Sequence, residues 1–186
     1  MRTINIGKAK KSGLKATLQQ GLSALAKGGF KTLYDHIDQK TIKSGVDELG
    51  IDKFINQCAV LAAGSGAITG AGGIATLLIG TPLDLVNLIT QQFRVTMAIR
   101  YHNTGQYKVK FIDLIKLVGT SLKVDASIAV TKNIMEEIVA KLMLTFGSKA
   151  TRRLVPIVGA VIGGGANYLF IKRIAGSLQK QPVQVF

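Results

Sequence analysis

Several residue types that often identify a function are scarce or missing in this chain of 186 residues. It has one cysteine, two histidines and no tryptophan. The single Cys58 excludes a disulfide within the chain, and His36 and His102 are too far apart in the sequence to form a zinc-ligand cluster. We therefore expect no metal site and no cofactor. We interpret Cys58 as a buried, inert thiol.

Motifs of catalysis are also missing. Ser65 lies in Gly-Ser-Gly and not in the Gly-x-Ser-x-Gly motif of serine hydrolases, and neither histidine has a placed acid and nucleophile. The glycine-rich run 64–73 lacks the following Gly-Lys-Ser/Thr that holds phosphate and magnesium in a P-loop. Glu136 and Glu137 fit a solvated helix face better than an acid–base pair. We expect a protein that is not an enzyme.

Acidic residues are few, and both ends of the chain lack them. The whole chain has 24 Lys and Arg against 10 Asp and Glu, a formal net charge of +14. The ends, 1–34 and 149–186, contain only basic charges, whereas the stretch between them is nearly neutral. Such ends suit an anionic membrane surface, where each Lys or Arg contributes on the order of 1 kcal/mol. The residues that we predict to bind lipid or another anion are Lys8, Lys10, Lys11, Lys15, Arg152, Arg153, Lys172 and Arg173.

Nucleic acid would attract the same basic ends. Single-strand binders usually place aromatic residues among the basic ones to stack on bases, but only Phe30 and Tyr34 lie near the N-terminal basic group. A solvated basic face without a partner is a third interpretation. We favour anionic membrane lipids as partners and do not expect nucleic acid.

Charge is absent from two glycine-rich apolar stretches, 54–83 and 154–171. Glycine lowers helix propensity by up to about 1 kcal/mol relative to alanine, so packing must stabilise these stretches. Small residues let two helix backbones approach closely, and we therefore predict that the two stretches pack on each other. The glycines that we predict to form this contact are Gly66, Gly70, Gly73, Gly159 and Gly163.

The rest of the chain has a helical period and no strand-like alternation of useful length. Amphipathic helices are expected over 12–27, 108–124 and 126–146, with a short helix over 30–44 and another beginning at Asp47 or Asp52. The fold class that we predict is all-α, a single helical domain in which amphipathic helices surround two packed glycine-rich apolar helices.

Residues 81–84, Thr-Pro-Leu-Asp, form a strong helix start, and this helix is expected to end near Thr104 and Gly105. Asp84 can return a hydrogen bond to the capping Thr81. A functional role for Asp84 is the alternative, because an acid at an apolar boundary is costly without a partner.

Two sequence elements resemble the EcsC family. Residues 66–105, GAITGAGGIATLLIGTPLDLVNLITQQFRVTMAIRYHNTG, resemble its central signature. Residues 155–175, VPIVGAVIGGGANYLFIKRIA, resemble its C-terminal element, in which a glycine-rich helix carries an asparagine, here Asn167, before a basic pair. The chain departs from the family where Tyr101 is separated from Gly105 by three residues. The resemblance covers about residues 50–176 and makes Asn167 a second candidate polar site.

The resemblance implies a mainly helical protein at bacterial membranes, sometimes linked to transport or secretion, with no established reaction. We expect it in the bacterial cytoplasm, at the inner face of the cytoplasmic membrane. We further expect two kinds of protein partner: a membrane protein or a secretion or transport protein, and a second copy of this chain. The divisions that we predict are basic amphipathic N-terminal helices over 1–48, an EcsC-like helical core over 49–176 and a C-terminal tail over 177–186.

The function expected from the sequence is non-enzymatic: basic ends bind anionic lipid surfaces while glycine-rich helices pack or insert. Two alternatives stay open. One is a soluble helical carrier or adaptor that holds lipid in a closed apolar core. The other is a pore-forming effector, because an uncharged hairpin released from amphipathic helices is what an inserting domain requires.

Overall fold

The computed structural model describes residues 28–64, 83–124, 134–142 and 156–182, with the side chains of 83–84 and 156–164 left out. These residues are helical with short connections and contain no strand, which confirms the all-α prediction. The helices are α1 Phe30–Asp35, α2 Gln39–Leu49, α3 Ile51–Ala63, α4 Leu83–Thr104, α5 Phe111–Ser121, α6 over residues 134–142 and α7 Pro156–Gln179.

Helix α4 is the centre of the fold. Between residues 85 and 100 every side chain is buried except Thr90 and Arg94, which are half-buried. Helices α1, α2, α3, α5 and α7 all pack against it. The apolar face expected from the sequence is therefore present, but the helix is buried on its polar side as well.

Helices α3 and α7 form the most extensive helix pair in the described part of the chain. Ala59 and Ala62 of α3 are fully buried, as are Ile171 and Ala175 of α7. Helix α3 contains the first residues of the uncharged stretch 54–83, and α7 contains most of the second stretch. The predicted packing of the two stretches is thus observed for the part of the first that the structure describes.

The predicted contact glycines cannot be placed in that interface. Gly66, Gly70 and Gly73 lie outside the described residues. Gly159 and Gly163 lie in the helical backbone of α7, but the surroundings of residues 156–164 are not described. Their role in helix packing stays a prediction.

The prediction of one helix over 30–44 is wrong, because α1 and α2 occupy this region. Asp38 ends the connection between them: its carboxylate accepts a hydrogen bond from the Lys40 N–H at 2.9 Å and another from the Thr41 hydroxyl. These hydrogen bonds lower the pKa of Asp38. An N-cap of this kind starts a new helix, α2, which continues to Leu49. Gly50, with φ 77°, joins α2 directly to α3.

Residues 106–110 form a non-helical connection, and side chains of α1, α2 and α4 bind its backbone. The Tyr34 hydroxyl donates to the Val109 carbonyl at 2.7 Å, and the Gln39 side chain bonds both the N–H and the carbonyl of Val109. Arg100 donates to the carbonyls of Gln106 and Lys108. These contacts delay the helix expected from 108, and α5 begins at Phe111.

Gly45 provides the space in which the ring of Phe54 is seated. A Cβ at Gly45 would lie 2.7 Å from Phe54 Cε2, and the ring is fully buried and has little room to move. The contact between α2 and the Phe54 ring of α3 therefore requires a residue without a side chain at position 45.

We predict that Gly45→Ala lowers the free energy of unfolding by about 1–3 kcal/mol, since the added methyl group overpacks the site. Gly176→Ala in α7 is the matched control, because nothing lies within 4 Å of its added Cβ. This control should gain up to about 1 kcal/mol from the higher helix propensity of alanine. Urea denaturation measures both. Equal effects of the two substitutions would contradict the assigned contact.

Candidate functional site

The C-terminal end of α3 is capped by asparagines from two other helices. The last carbonyls of a helix have no partner within it. Asn167 of α7 donates from Nδ2 to the Ala62 carbonyl at 3.1 Å, and Asn87 of α4 donates from Nδ2 to the Leu61 carbonyl at 2.8 Å. Asn167 is only 6% exposed. The asparagine singled out by the family resemblance thus joins α7 to the end of α3, and Asn87 joins α4 to the same end.

We predict that Asn167→Ala costs about 1–3 kcal/mol of unfolding free energy, because it leaves the Ala62 carbonyl buried without a donor. Asn56→Ala is the control, since the Asn56 side chain accepts a hydrogen bond from the Tyr168 hydroxyl at the exposed surface. Loss of that solvent-accessible bond should cost less than about 1 kcal/mol. Urea denaturation of the two variants is the measurement. If the two substitutions lower the free energy of unfolding by the same amount, Asn167 does not act as a buried helix cap.

Asn87 also begins a line of hydrogen-bonded side chains along α4, which we call the polar ladder: Asn87, Gln91 and Arg94. Gln91 donates from Nε2 to Asn87 Oδ1 at 3.1 Å, and Arg94 donates from Nη1 to Gln91 Oε1 at 3.1 Å. Their spacing of four and three residues places them on one side of the helix. Since Asn87 reaches the end of α3 and Arg94 reaches Phe54 of α3, the ladder lies along the α3–α4 contact.

Arg94 ends the ladder at the ring of Phe54. Its Cζ atom lies 5.5 Å from the ring centroid, within the range of a cation–π interaction. Within the described ranges no carboxylate forms an ion pair with Arg94. The guanidinium is therefore held in place by an amide and an aromatic ring.

Cys58, one turn after Phe54, is a neutral thiol. Burial raises its pKa to about 11 from the usual 9.0, and the nearby Arg94 charge opposes that rise. The residue is fully buried, as the sequence predicted. Because the thiolate is the nucleophilic form, this environment keeps the sulfur unreactive near neutral pH.

The raised pKa of Cys58 makes stability depend on pH at the alkaline end. The unfolded thiol ionises near 9.0, whereas the folded thiol keeps its proton to about 11. Rising pH in this window therefore favours the unfolded chain. We predict that the unfolding free energy of the wild type falls relative to that of Cys58→Ala between these pH values. Paired urea titrations test this, and a difference that stays constant with pH would refute it.

Helices α3 and α7 both have exposed apolar side chains, and α7 also has exposed basic ones. We refer to the exposed residues Val60, Leu169, Lys172 and Arg173 together as the α3–α7 face. Val60 is 56% exposed and Leu169 is 64% exposed, although both are large and apolar. Lys172 and Arg173 are exposed one turn after Leu169. Asp52, at the first turn of α3, is the one acidic residue in the sequences of these two helices.

The other predicted site residues are only partly placed. Asp84 lies in the helical backbone of α4, but its side chain is not described. The predicted helix start at Thr81 and Pro82 lies outside the described residues. The six predicted basic residues of 1–27 and 143–155 lie outside the described residues: Lys8, Lys10, Lys11, Lys15, Arg152 and Arg153.

Sequence reasoning missed the buried polar residues of α4. Their signal was present, since Asn87 and Gln91 are four residues apart in an otherwise apolar helix. Gln92 is a further case: it is 1% exposed, and in the part of the chain that the structure describes its Nε2 and Oε1 have no hydrogen-bond partner. Polar side chains at helical spacing in an apolar segment therefore indicate contacts between helices, as the glycines do.

A comparison with protein-family models, a search of curated proteins and a search of solved structures each gave no match to this chain. In the described residues, no helix combines the length and apolar character needed to cross a membrane. Nor do those residues bring three or more His, Cys, Asp or Glu side chains together in a group that could hold a metal ion.

Proposed function

We propose that this chain is a non-enzymatic helical protein that binds anionic lipid surfaces, and that it is a member of the EcsC family by its two sequence elements. The membrane surface is contacted by the basic ends and by the α3–α7 face. The proposed location is the inner face of the bacterial cytoplasmic membrane, where anionic lipids are available.

The observation that carries this proposal is the exposure of Leu169 beside Lys172 and Arg173. A large apolar side chain in water gains free energy by leaving it, by roughly 1.5–3 kcal/mol when fully buried. The boundary between lipid head groups and acyl chains accepts such a side chain and places phosphate groups beside neighbouring cations. A solvated basic face would not need an exposed leucine beside its cations.

The charge distribution supports the same orientation. Lys172 and Arg173 belong to the C-terminal stretch 149–186, which has no acidic residue. A surface of one sign attracts an anionic leaflet without local repulsion, and the attraction falls with added salt.

We predict that replacing Lys172 and Arg173 together by glutamine weakens binding to anionic vesicles about thirtyfold, since each cation contributes on the order of 1 kcal/mol. The measurement is flotation with phosphatidylcholine vesicles, with and without phosphatidylglycerol, at low and high salt. The matched control replaces Lys110 and Lys116, two exposed lysines of the nearly neutral body, and should change binding by less than about threefold.

Other outcomes separate the alternative functions. Wild-type protein that never floats with anionic vesicles rules out the proposal. If the protein does not float but lipid copurifies with it, as detected by mass spectrometry, the result supports the carrier function. The amide of Gln92, which has no hydrogen-bond partner in the described residues, is a candidate contact for that lipid. Leakage of dye from the vesicles supports the pore former.

A further inference from the structure

Arg94 carries more hydrogen-bonding capacity than its observed contacts use. A guanidinium has five N–H donors, and in the described structure one of its nitrogens donates to Gln91. The face of Phe54 attracts the charge but accepts no strong hydrogen bond. The remaining donors lie on a half-buried group, which solvent still reaches.

Within the described residues, no negatively charged side chain is paired with Arg94. A partly buried cation is costly unless it is paired, and no described carboxylate lies within 4.0 Å of this one. Arg100 on the same helix differs, because its guanidinium donates to the carbonyls of Gln106 and Lys108 and so ties down a loop. Cys58 adds no negative charge near neutral pH, since burial keeps its thiol protonated.

The surroundings of Arg94 hold its guanidinium in place. Gln91 is itself bonded to Asn87, which is bonded to the end of α3. Phe54 is seated against Gly45, where a Cβ would not fit. A cation positioned from two sides loses little conformational entropy when it binds a ligand.

We propose that Arg94 is an anion-binding residue that takes a phosphate group, either from a lipid head group or from free phosphate. Phosphate matches the planar fork of a guanidinium with two parallel hydrogen bonds, which a lysine cannot reproduce. The site is distinct from the diffuse attraction of the basic ends, and it rests on the proposed function only if the phosphate belongs to a lipid.

The first arm of the test uses inorganic phosphate, with chloride at equal ionic strength as the reference. Calorimetric titration of the full chain should show that Arg94→Met lowers the phosphate association constant at least about tenfold. Arg94→Lys, which keeps the charge and loses the fork, should also bind more weakly than the wild type. Lys116→Met removes an exposed cation outside the ladder, in the nearly neutral body of the chain, and should stay within about twofold of the wild type. Circular dichroism verifies folding, and Arg94→Lys carries the test if Arg94→Met does not fold.

The second arm uses flotation with phosphatidylcholine vesicles that contain phosphatidylglycerol. Loss of both phosphate binding and flotation in the Arg94 variants assigns the site to a lipid head group. Loss of phosphate binding with unchanged flotation assigns it to free phosphate. Arg94-dependent phosphate binding by a protein that never floats supports the site while refuting the proposed membrane function. Equal behaviour of the wild type and the Arg94 variants in both arms, including absence of binding, overturns the inference.

Discussion

The burial of residues 85–100 of α4, of which only Thr90 and Arg94 are half-buried, is the constraint on which the rest of the structure depends. Polar side chains on a helix this deeply buried need partners within the protein, because an unpaired buried group costs about 1–3 kcal/mol. Thr90 and Thr96 meet this requirement locally by donating to the carbonyls four residues before them. Asn87 and Arg100 meet it by binding the backbone of other segments, so their pairing also fixes how those segments pack.

The capped end of α3 follows from that constraint. Helix α3 leaves its last carbonyls open at the point where the described chain reaches Gly64, and Asn87 and Asn167 close two of them from different helices. The same three helices thereby share one polar contact inside an apolar core. Helix α7 joins this contact to the outer surface, since Lys172 and Arg173 follow Asn167 on the same helix. The surface proposed to bind lipid thus lies on α7, which forms with α3 the most extensive helix pair in the described part of the chain.

Two kinds of positive charge are present, and they suit different tasks. Lys172 and Arg173 are exposed side chains, appropriate for contact with many head groups at once. Arg94 is a single cation with a fixed position and a supporting amide. The first kind provides attraction that salt weakens, whereas the second provides a site for one anion.

The amino-acid sequence by itself determined the helical class, the end of α4 near Gly105 and the burial of Cys58, because helical periodicity and glycine signals are local. It also determined the basic ends, which are a matter of composition. It did not predict the break at Asp38, where a capping carboxylate competes with helix continuation. Only the tertiary structure decided that Asn87 and Asn167 meet α3, that Gly45 admits Phe54, and that Arg94 lacks a carboxylate in the described residues. Those facts depend on contacts between residues 9 to 105 positions apart in the chain, and no local pattern records which distant side chain will fill a given space.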